Sequence, residues 1–375
     1  MPERVIVGLS GGVDSAVAAL LLARAGHDVQ GLFMANWEED EDGYCTAAAD
    51  YQDARQVCAE IGIPLHRVNF AREYRDRVFA HFLAEYAAGR TPNPDVLCNR
   101  EIKFGVCFEY ARRLGAAAFA TGHYARVEQL ADGPRLLRAR DRDKDQTYFL
   151  HAVAREQLAR TLFPVGSLPK AEVRRLAREH GLPVFDKRDS TGICFIGERP
   201  FRRFLEQYLP AQPGPLESDS GECLGRHAGL MYYTLGQRAG LGLGGRRGAA
   251  PAPWYVGAKD LARNALIVVQ GHEHPLLLSD ALCSGPMHWI AGRPAAQRFE
   301  CSAQTRYRQP EQACEVELQD DGRAMIRFRE PQRAVTPGQY AVLYQGDTCL
   351  GGAVIESTLP ARPGMAAPAD RAAAG

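Results

Sequence analysis

What this chain lacks bounds it first. Its ten cysteines (Cys45, Cys58, Cys98, Cys107, Cys194, Cys223, Cys283, Cys301, Cys314 and Cys349) include no C-x-x-C pair, so neither a zinc ribbon nor a thioredoxin-type motif is supported. No lysine follows Gly12 in the first glycine-rich turn, which excludes the G-x-x-x-x-G-K-[ST] phosphate loop, and G-x-G-x-x-G is missing as well. No apolar run is long enough to span a bilayer. The first residues show no basic n-region followed by an apolar segment and cleavage site, so the expected compartment is the cytoplasm and no membrane is involved. Net charge is absent too: 45 Lys and Arg face 45 Asp and Glu. The molecule as a whole therefore offers no field for a polyanion, and any nucleic-acid contact must rest on a local basic face. Arg135 to Lys144, Lys170 to Arg178 and Arg199 to Arg203 are such clusters, each equally readable as a solvated helix or loop face.

What is present points to more than one domain, since 375 residues exceed what one core usually organises. The first 150 residues alternate strand and helix. Strands are predicted at Arg4–Leu9, Asp28–Met34, Pro64–Asn69 and Ala117–Gly122, with helices at Ser15–Ala25, Ala47–Ile61, Tyr74–Ala88 and Lys103–Leu114. This is the pattern of a parallel α/β sheet covered on both faces, whose ligands bind at the carboxyl ends of the strands. From about Ala152 to Leu209 the pattern reads as helical, and Pro210–Pro215 breaks it. Short strands are then expected at Met231–Thr234, Trp254–Gly257 and Ala265–Val269. His288–Ile290, Phe299–Thr305, Gln312–Leu318, Ala324–Phe328, Tyr340–Tyr344 and Cys349–Ile355 are short alternating strands separated by turns, the signature of a small β-barrel. The expected division is 1–210 (α/β), 211–275 (small, mostly β), 276–360 (β-barrel) and a disordered alanine- and proline-rich tail, 361–375. Cys58, Cys107 and Cys314 sit in apolar surroundings and are expected in the core.

The string Gly8-Leu9-Ser10-Gly11-Gly12-Val13-Asp14-Ser15 joins the first strand to the first helix. Glycines at such a turn leave backbone N–H groups facing outward, and the helix N-terminus adds partial positive charge, which together suit an anion. The string matches the pyrophosphate loop of the ATP pyrophosphatase (PP-loop) superfamily. That resemblance implies ATP as substrate, Ser10 and Ser15 as hydroxyl donors, and Asp14 as either a magnesium ligand or a helix cap.

Two cysteines stand in polar, basic settings. Cys98 follows Asn93-Pro94-Asp95, and a helix is predicted to start near Asn99, so Cys98 is expected at or just before a helix N-terminus, where the dipole favours a thiolate. Cys194 follows Ser190-Thr191-Gly192-Ile193, with Lys187, Arg188 and Arg199 around it. Read alone, each is also compatible with a buried structural cysteine. With Ala120-Thr121-Gly122-His123-Tyr124, Lys144-Asp145-Gln146, Tyr148-Phe149-Leu150, Thr234–Gly245 and Ala303–Gln309, these strings make the chain resemble the bacterial tRNA-specific 2-thiouridylase family to about residue 357.

The resemblance implies an adenine nucleotide α-hydrolase-like N-terminal domain, a central mostly-β domain and a tRNA-binding C-terminal barrel. It implies ATP-dependent 2-thiolation of the wobble uridine (position 34): uracil O2 is adenylated, then replaced by sulfur from a persulfide on Cys194. Cys98 is the partner nucleophile, acting either to free sulfide from the persulfide or to close a Cys98–Cys194 disulfide. Asp95 is the candidate acid/base, and Asn93 and Pro94 line the pocket for a flipped base. Met34 and Gly122 lie near the adenosine. His123, Lys144, Asp145, Gln146, Arg306, Tyr307 and Gln339 touch tRNA, and a sulfur-relay or cysteine-desulfurase protein supplies the sulfur. Two rivals stand beside this reading: a ligase or amidotransferase of the same superfamily, which needs no cysteine pair, and a non-catalytic protein that binds ATP or tRNA.

Overall fold

The computed structural model describes residues 2–37, 47–188, 201–243 and 252–361. The Ser190–Cys194 string and the tail from 362 onward lie outside the described residues.

Strands β1 (Arg4–Leu9), β2 (Asp28–Ala35), β3 (Leu65–Asn69) and β4 (Ala118–Thr121) end within one residue of their predicted positions. They are followed by a hairpin, β5 (Ala125–Leu130) and β6 (Gly133–Arg138), and by the short β7 (Thr161–Leu162). The parallel sheet runs β3-β2-β1-β4-β7. β1 is central, and its alternation serves two cores. Val5, Val7 and Leu9 face α1 (Val13–Arg24), α2 (Ala47–Ile61) and the Lys170–Glu179 helix. Ile6 faces the helical runs 71–87 and 94–113. Burying side chains of this size contributes about 1.5–3 kcal/mol each. Because β2 lies on one side of β1 and β4 on the other, the chain order reverses at β1, and the crevice beyond its carboxyl end is the expected binding place.

Four further strands, β8 (Gly214–Ser218), β9 (Cys223–His227), β10 (Trp254–Asp260) and β11 (Ala265–Gln270), form a separate sheet over Leu216, Val256, Leu266 and Val268. The strand predicted at Met231–Thr234 is instead a 3₁₀ turn, Leu230–Tyr232, entered through Gly229 at φ 154. The barrel is built from β12 (Leu278–Ser284), β13 (His288–Trp289), β14 (Arg298–Gln304), β15 (Gln312–Leu318), β16 (Ala324–Arg333), β17 (Tyr340–Gln345) and β18 (Thr348–Pro360). Its antiparallel order β12-β16-β15-β14-β17-β18 closes by pairing β12 with β18.

Two expectations fail in the α/β part. The described residues of 152–209 are mostly turns, with helices only at Arg155–Leu158, Lys170–Glu179 and Phe201–Glu206. And the β5–β6 hairpin, read from sequence only as part of a basic cluster, joins the barrel sheet: Leu137 pairs with Thr348 and Leu136 with Cys349.

Candidate active site

The glycine loop lies at the carboxyl end of β1. Gly11 has φ 73, and a Cβ there would fall 2.4 Å from the Asp50 carbonyl oxygen, so only glycine fits both the conformation and the contact. Gly12 is the residue before α1, and no side chain caps that helix. Ser15 Oγ donates to Gly12 O (3.1 Å), accepts from Ser10 N (3.2 Å) and lies 3.2 Å from Ser10 Oγ, which folds the loop over the helix terminus. Gly122, just past β4, approaches from beside it. A Cβ at Gly122 would sit 2.5 Å from Ser15 N and 2.6 Å from the Asp14 carbonyl carbon.

Asp14 is therefore no cap. Its carboxylate accepts from Lys170 Nζ (2.7 and 2.8 Å) and from the Tyr124 hydroxyl (2.9 Å). A second lysine serves the loop from the other side: Lys187 Nζ donates to Gly11 O (3.0 Å), Asp50 Oδ1 (2.7 Å) and Asp53 Oδ2 (2.5 Å). Burial works against its charge, but the two carboxylates outweigh it and hold its pKa above the usual lysine value. Met34 lies on the neighbouring strand, in register with Val68 of β3 and packed against the second core.

Cys98 sits elsewhere on the same domain. Asn93 is extended (φ −117, ψ 95), Pro94 occupies the first helical position, and helical backbone continues through 94–113. The helix thus starts at Pro94 rather than near Asn99. Cys98 falls in its second turn, where a terminal dipole has largely decayed, so the expected dipole effect on the thiol loses its basis. Asp95, in the first turn, is the residue the dipole favours. From Cys98 to Cys107 the helix has π geometry, with a non-helical kink at Gly105. Cys98 is fully buried, packed with Val96, Leu97, Ile102 and Phe104. The following residue, Asn99, donates from Nδ2 to Phe149 O (3.3 Å).

Family models match almost all of this architecture: a tRNA methyl transferase HUP domain over residues 3–198, a tRNA methyl transferase PRC-barrel domain over 202–270, and an aminomethyltransferase β-barrel domain over 279–355. A protein of Marinobacter nauticus described as tRNA-specific 2-thiouridylase MnmA is 60% identical over 369 residues, covering 96% of this chain and 94% of that protein. One of Chromohalobacter salexigens with the same description is 61% identical over 356 residues, covering 95% and 93%. The chain belongs to the tRNA-specific 2-thiouridylase family.

Several residues carried over from the 2-thiouridylase pattern point inward. His123 is half-buried beside Phe104 and Phe163, and its Nδ1 lies 2.8 Å from Thr121 Oγ1. Burial, helped by the charge of Lys103, pushes its pKa well below the ordinary histidine value. Asp145 is buried, accepting from Arg138 Nη1 (3.1 Å), Ala139 N (2.8 Å) and Thr147 Oγ1 (2.6 Å). Gln146 and Tyr124 exchange hydrogen bonds, Tyr124 N to Gln146 Oε1 (2.9 Å) and Gln146 N to Tyr124 O (2.8 Å). Lys144 ends the preceding 3₁₀ turn, Arg142–Lys144.

On the barrel, Arg306 Nη2 donates to Leu235 O (3.0 Å), Ala334 O (3.2 Å) and Thr336 Oγ1 (3.0 Å). The Tyr307 ring lies 4.3 Å from that of Phe149, two residues beyond the Asp145–Thr147 knot. Gln339 donates to Thr91 O (2.8 Å) and Pro92 O (3.3 Å). Sequence reasoning assigns no role to Lys170 or Tyr124 and notes Lys187 only as nearby charge. The one signal for the lysines is their place in basic clusters, which does not say which carboxylate each will meet.

Cys194 lies outside the described residues.

Proposed function

We propose that this chain catalyses ATP-dependent 2-thiolation of the wobble uridine of tRNA, and that it does so in the cytoplasm. The observation that carries the reading is identity near 60% along almost the whole chain to proteins described as tRNA-specific 2-thiouridylases. The site chemistry supports it. Gly8, Leu9, Ser10, Gly11, Gly12, Val13, Asp14 and Ser15 would hold the phosphates of ATP, with Met34 and Gly122 flanking the adenosine. Here ATP supplies a good leaving group for uracil O2. Asp14 is the candidate magnesium ligand, and a metal ion there would share the carboxylate with Lys170, which already supplies one positive charge.

The rest of the chemistry falls to this chain's own groups. Asn93, Pro94 and Asp95 would receive the base, with Asp95 moving a proton at the reacting ring. Cys194 would carry the persulfide delivered by a donor protein. Holding sulfur on the enzyme raises its effective concentration far above that of free sulfide. Cys98, sealed in the core beside this loop, would act on that persulfide rather than on passing oxidants. His123, Lys144, Asp145, Gln146, Arg306, Tyr307 and Gln339 would border the RNA, with Asp145, Arg306 and Gln339 also organising the protein.

The test is mass analysis of tRNA nucleosides after incubation with ATP, magnesium and a persulfide source. Sulfur should replace oxygen on the wobble uridine. Cys98→Ser and Cys194→Ser should each abolish the gain while ATP binding persists. Full activity in either variant removes that cysteine from the reaction, and product formation after all thiols are alkylated would favour a ligase.

A further inference from the structure

The segment 89–92 runs directly into Asn93-Pro94-Asp95 and the Cys98 helix; Gly89 and Arg90 also bond back to Tyr86 and Glu85, but the contacts of Thr91 and Pro92 come from residues far along the chain. Lys259 Nζ, on β10, donates to Gly89 O (2.8 Å). Thr234 Oγ1 lies 3.2 Å from Thr91 Oγ1. From the barrel, Pro337 O accepts from Thr91 N (3.1 Å), and Gln339 Nε2 reaches Thr91 O (2.8 Å) and Pro92 O (3.3 Å). The barrel end of this clamp is itself stitched down: Gly338 N donates to Ile355 O (2.9 Å) and Ile355 N to Gln339 O (2.7 Å). Gly338 has φ 93, and a Cβ there would lie 2.9 Å from both N and O of Thr91, so the fit is made by omitting a side chain. Behind the segment lies a cavity of about 330 Å³, lined by Gly89, Thr91, Lys259, Leu277, Thr336 and Pro337. Leu261 packs against Gly89 on that side, and beyond it hydrogen bonds, rather than packed side chains, hold the segment beside this space.

We propose that residues 89–92 are a positioning strap: Gln339, Thr234 and Lys259 set the place of the Asn93–Asp95 loop and of Cys98, so that the barrel and the central sheet act on the chemistry through the strap as well as by touching RNA. The inference rests on the functional reading above. Gln339 and Thr234 are positioning residues.

The test uses the full chain and three readouts: Kd for tRNA, kcat for thiolation, and peptide-resolved alkylation of Cys98 by iodoacetamide. Losing one or two net hydrogen bonds at the strap should cut kcat about tenfold in Gln339→Ala and about threefold in Thr234→Val. Cys98 alkylation should rise by similar factors in both, and in Thr234→Val, a residue with no place on the RNA in the reading above, Kd for tRNA should stay within about twofold. Gln339→Glu, which sets a carboxylate against two carbonyl oxygens, should exceed Gln339→Ala in both effects. A raised Kd in Gln339→Ala with kcat and alkylation unchanged in both variants would leave Gln339 an RNA contact alone and overturn the strap. Unchanged values throughout would overturn it as well. Alkylation does not depend on turnover, so the strap is tested even if the wild type fails to thiolate, a result that would remove the functional reading alone. If Gln339→Ala does not fold, Thr234→Val decides.

Discussion

The glycine loop and the segment leading into Asn93–Asp95 are assembled in opposite ways. The first takes its shape from neighbours in sequence: Ser10, Gly12 and Ser15 hydrogen-bond one another within five positions. The second is held from a distance, with Thr91 meeting Thr234 and Gln339 at separations of 143 and 248 residues. A loop proposed to cradle one fixed phosphate geometry can be written into a short string. A loop proposed to accept a displaced base is instead tied to the central and barrel parts of the chain. The contrast is one of backbone rather than charge, because Lys170 and Lys187 reach the glycine loop from positions 156 and 176 residues away.

The largest effect that would break this contrast lies at Gly11. Gly11→Ala adds a Cβ to left-handed backbone, costing about 1 kcal/mol, and overpacks the Asp50 backbone at about 1–3 kcal/mol more. Urea unfolding should show a loss of about 2–4 kcal/mol, together with lost ATP binding. A tolerated alanine would mean that the loop's path is not locally dictated.

Next comes acid, which should act on the domain junction. His151 is buried, its Nδ1 2.7 Å from Tyr148 O and its ring 5.0 Å from Tyr340 of the barrel. Burial lowers its pKa to about 4, against 6.5 for an ordinary histidine. The unfolded chain takes up this proton as pH falls through 6.5, whereas the folded chain resists until about 4. Stability is thus fully present above 6.5 and declines across that window, by about 3 kcal/mol at its foot. His151→Gln should flatten the decline, and an unchanged slope would assign it to other groups.

The smallest effect is Tyr307→Leu, which should cost about 1 kcal/mol of stability by removing the ring contact with Phe149. Intact stability with weakened tRNA binding would hand Tyr307 to the RNA instead.

What the sequence made legible follows the same division. β1, α2 and β15 stand where periodicity predicts, because their burial pattern is local. Cys58, Cys107 and Cys314 are buried as their apolar neighbours suggest. The start of the Cys98 helix was missed because Asn93-Pro94 reads equally as a turn and as the entry to a helix, and tertiary packing decides. The Met231–Thr234 strand fails because its apolar residues pack from a 3₁₀ turn. The β5–β6 hairpin hid behind a basic cluster: Arg138, part of the Arg135–Lys144 run, is buried and bonds Asp145 inside the protein. Asp145, Gln146 and Arg306 carry the same lesson, since a charged or amide side chain in a family motif also holds the protein's own architecture.

The pairing of β6 with β18 has a consequence for anyone cutting this enzyme into parts. A truncated α/β fragment would retain a two-stranded ribbon whose outer row of amides and carbonyls had lost its partner, an invitation to sticky intermolecular association. A lone barrel would bear the matching bare rim along Thr348 and Cys349. The borders that look natural for cloning therefore run through a shared sheet, and soluble halves would need that seam redesigned.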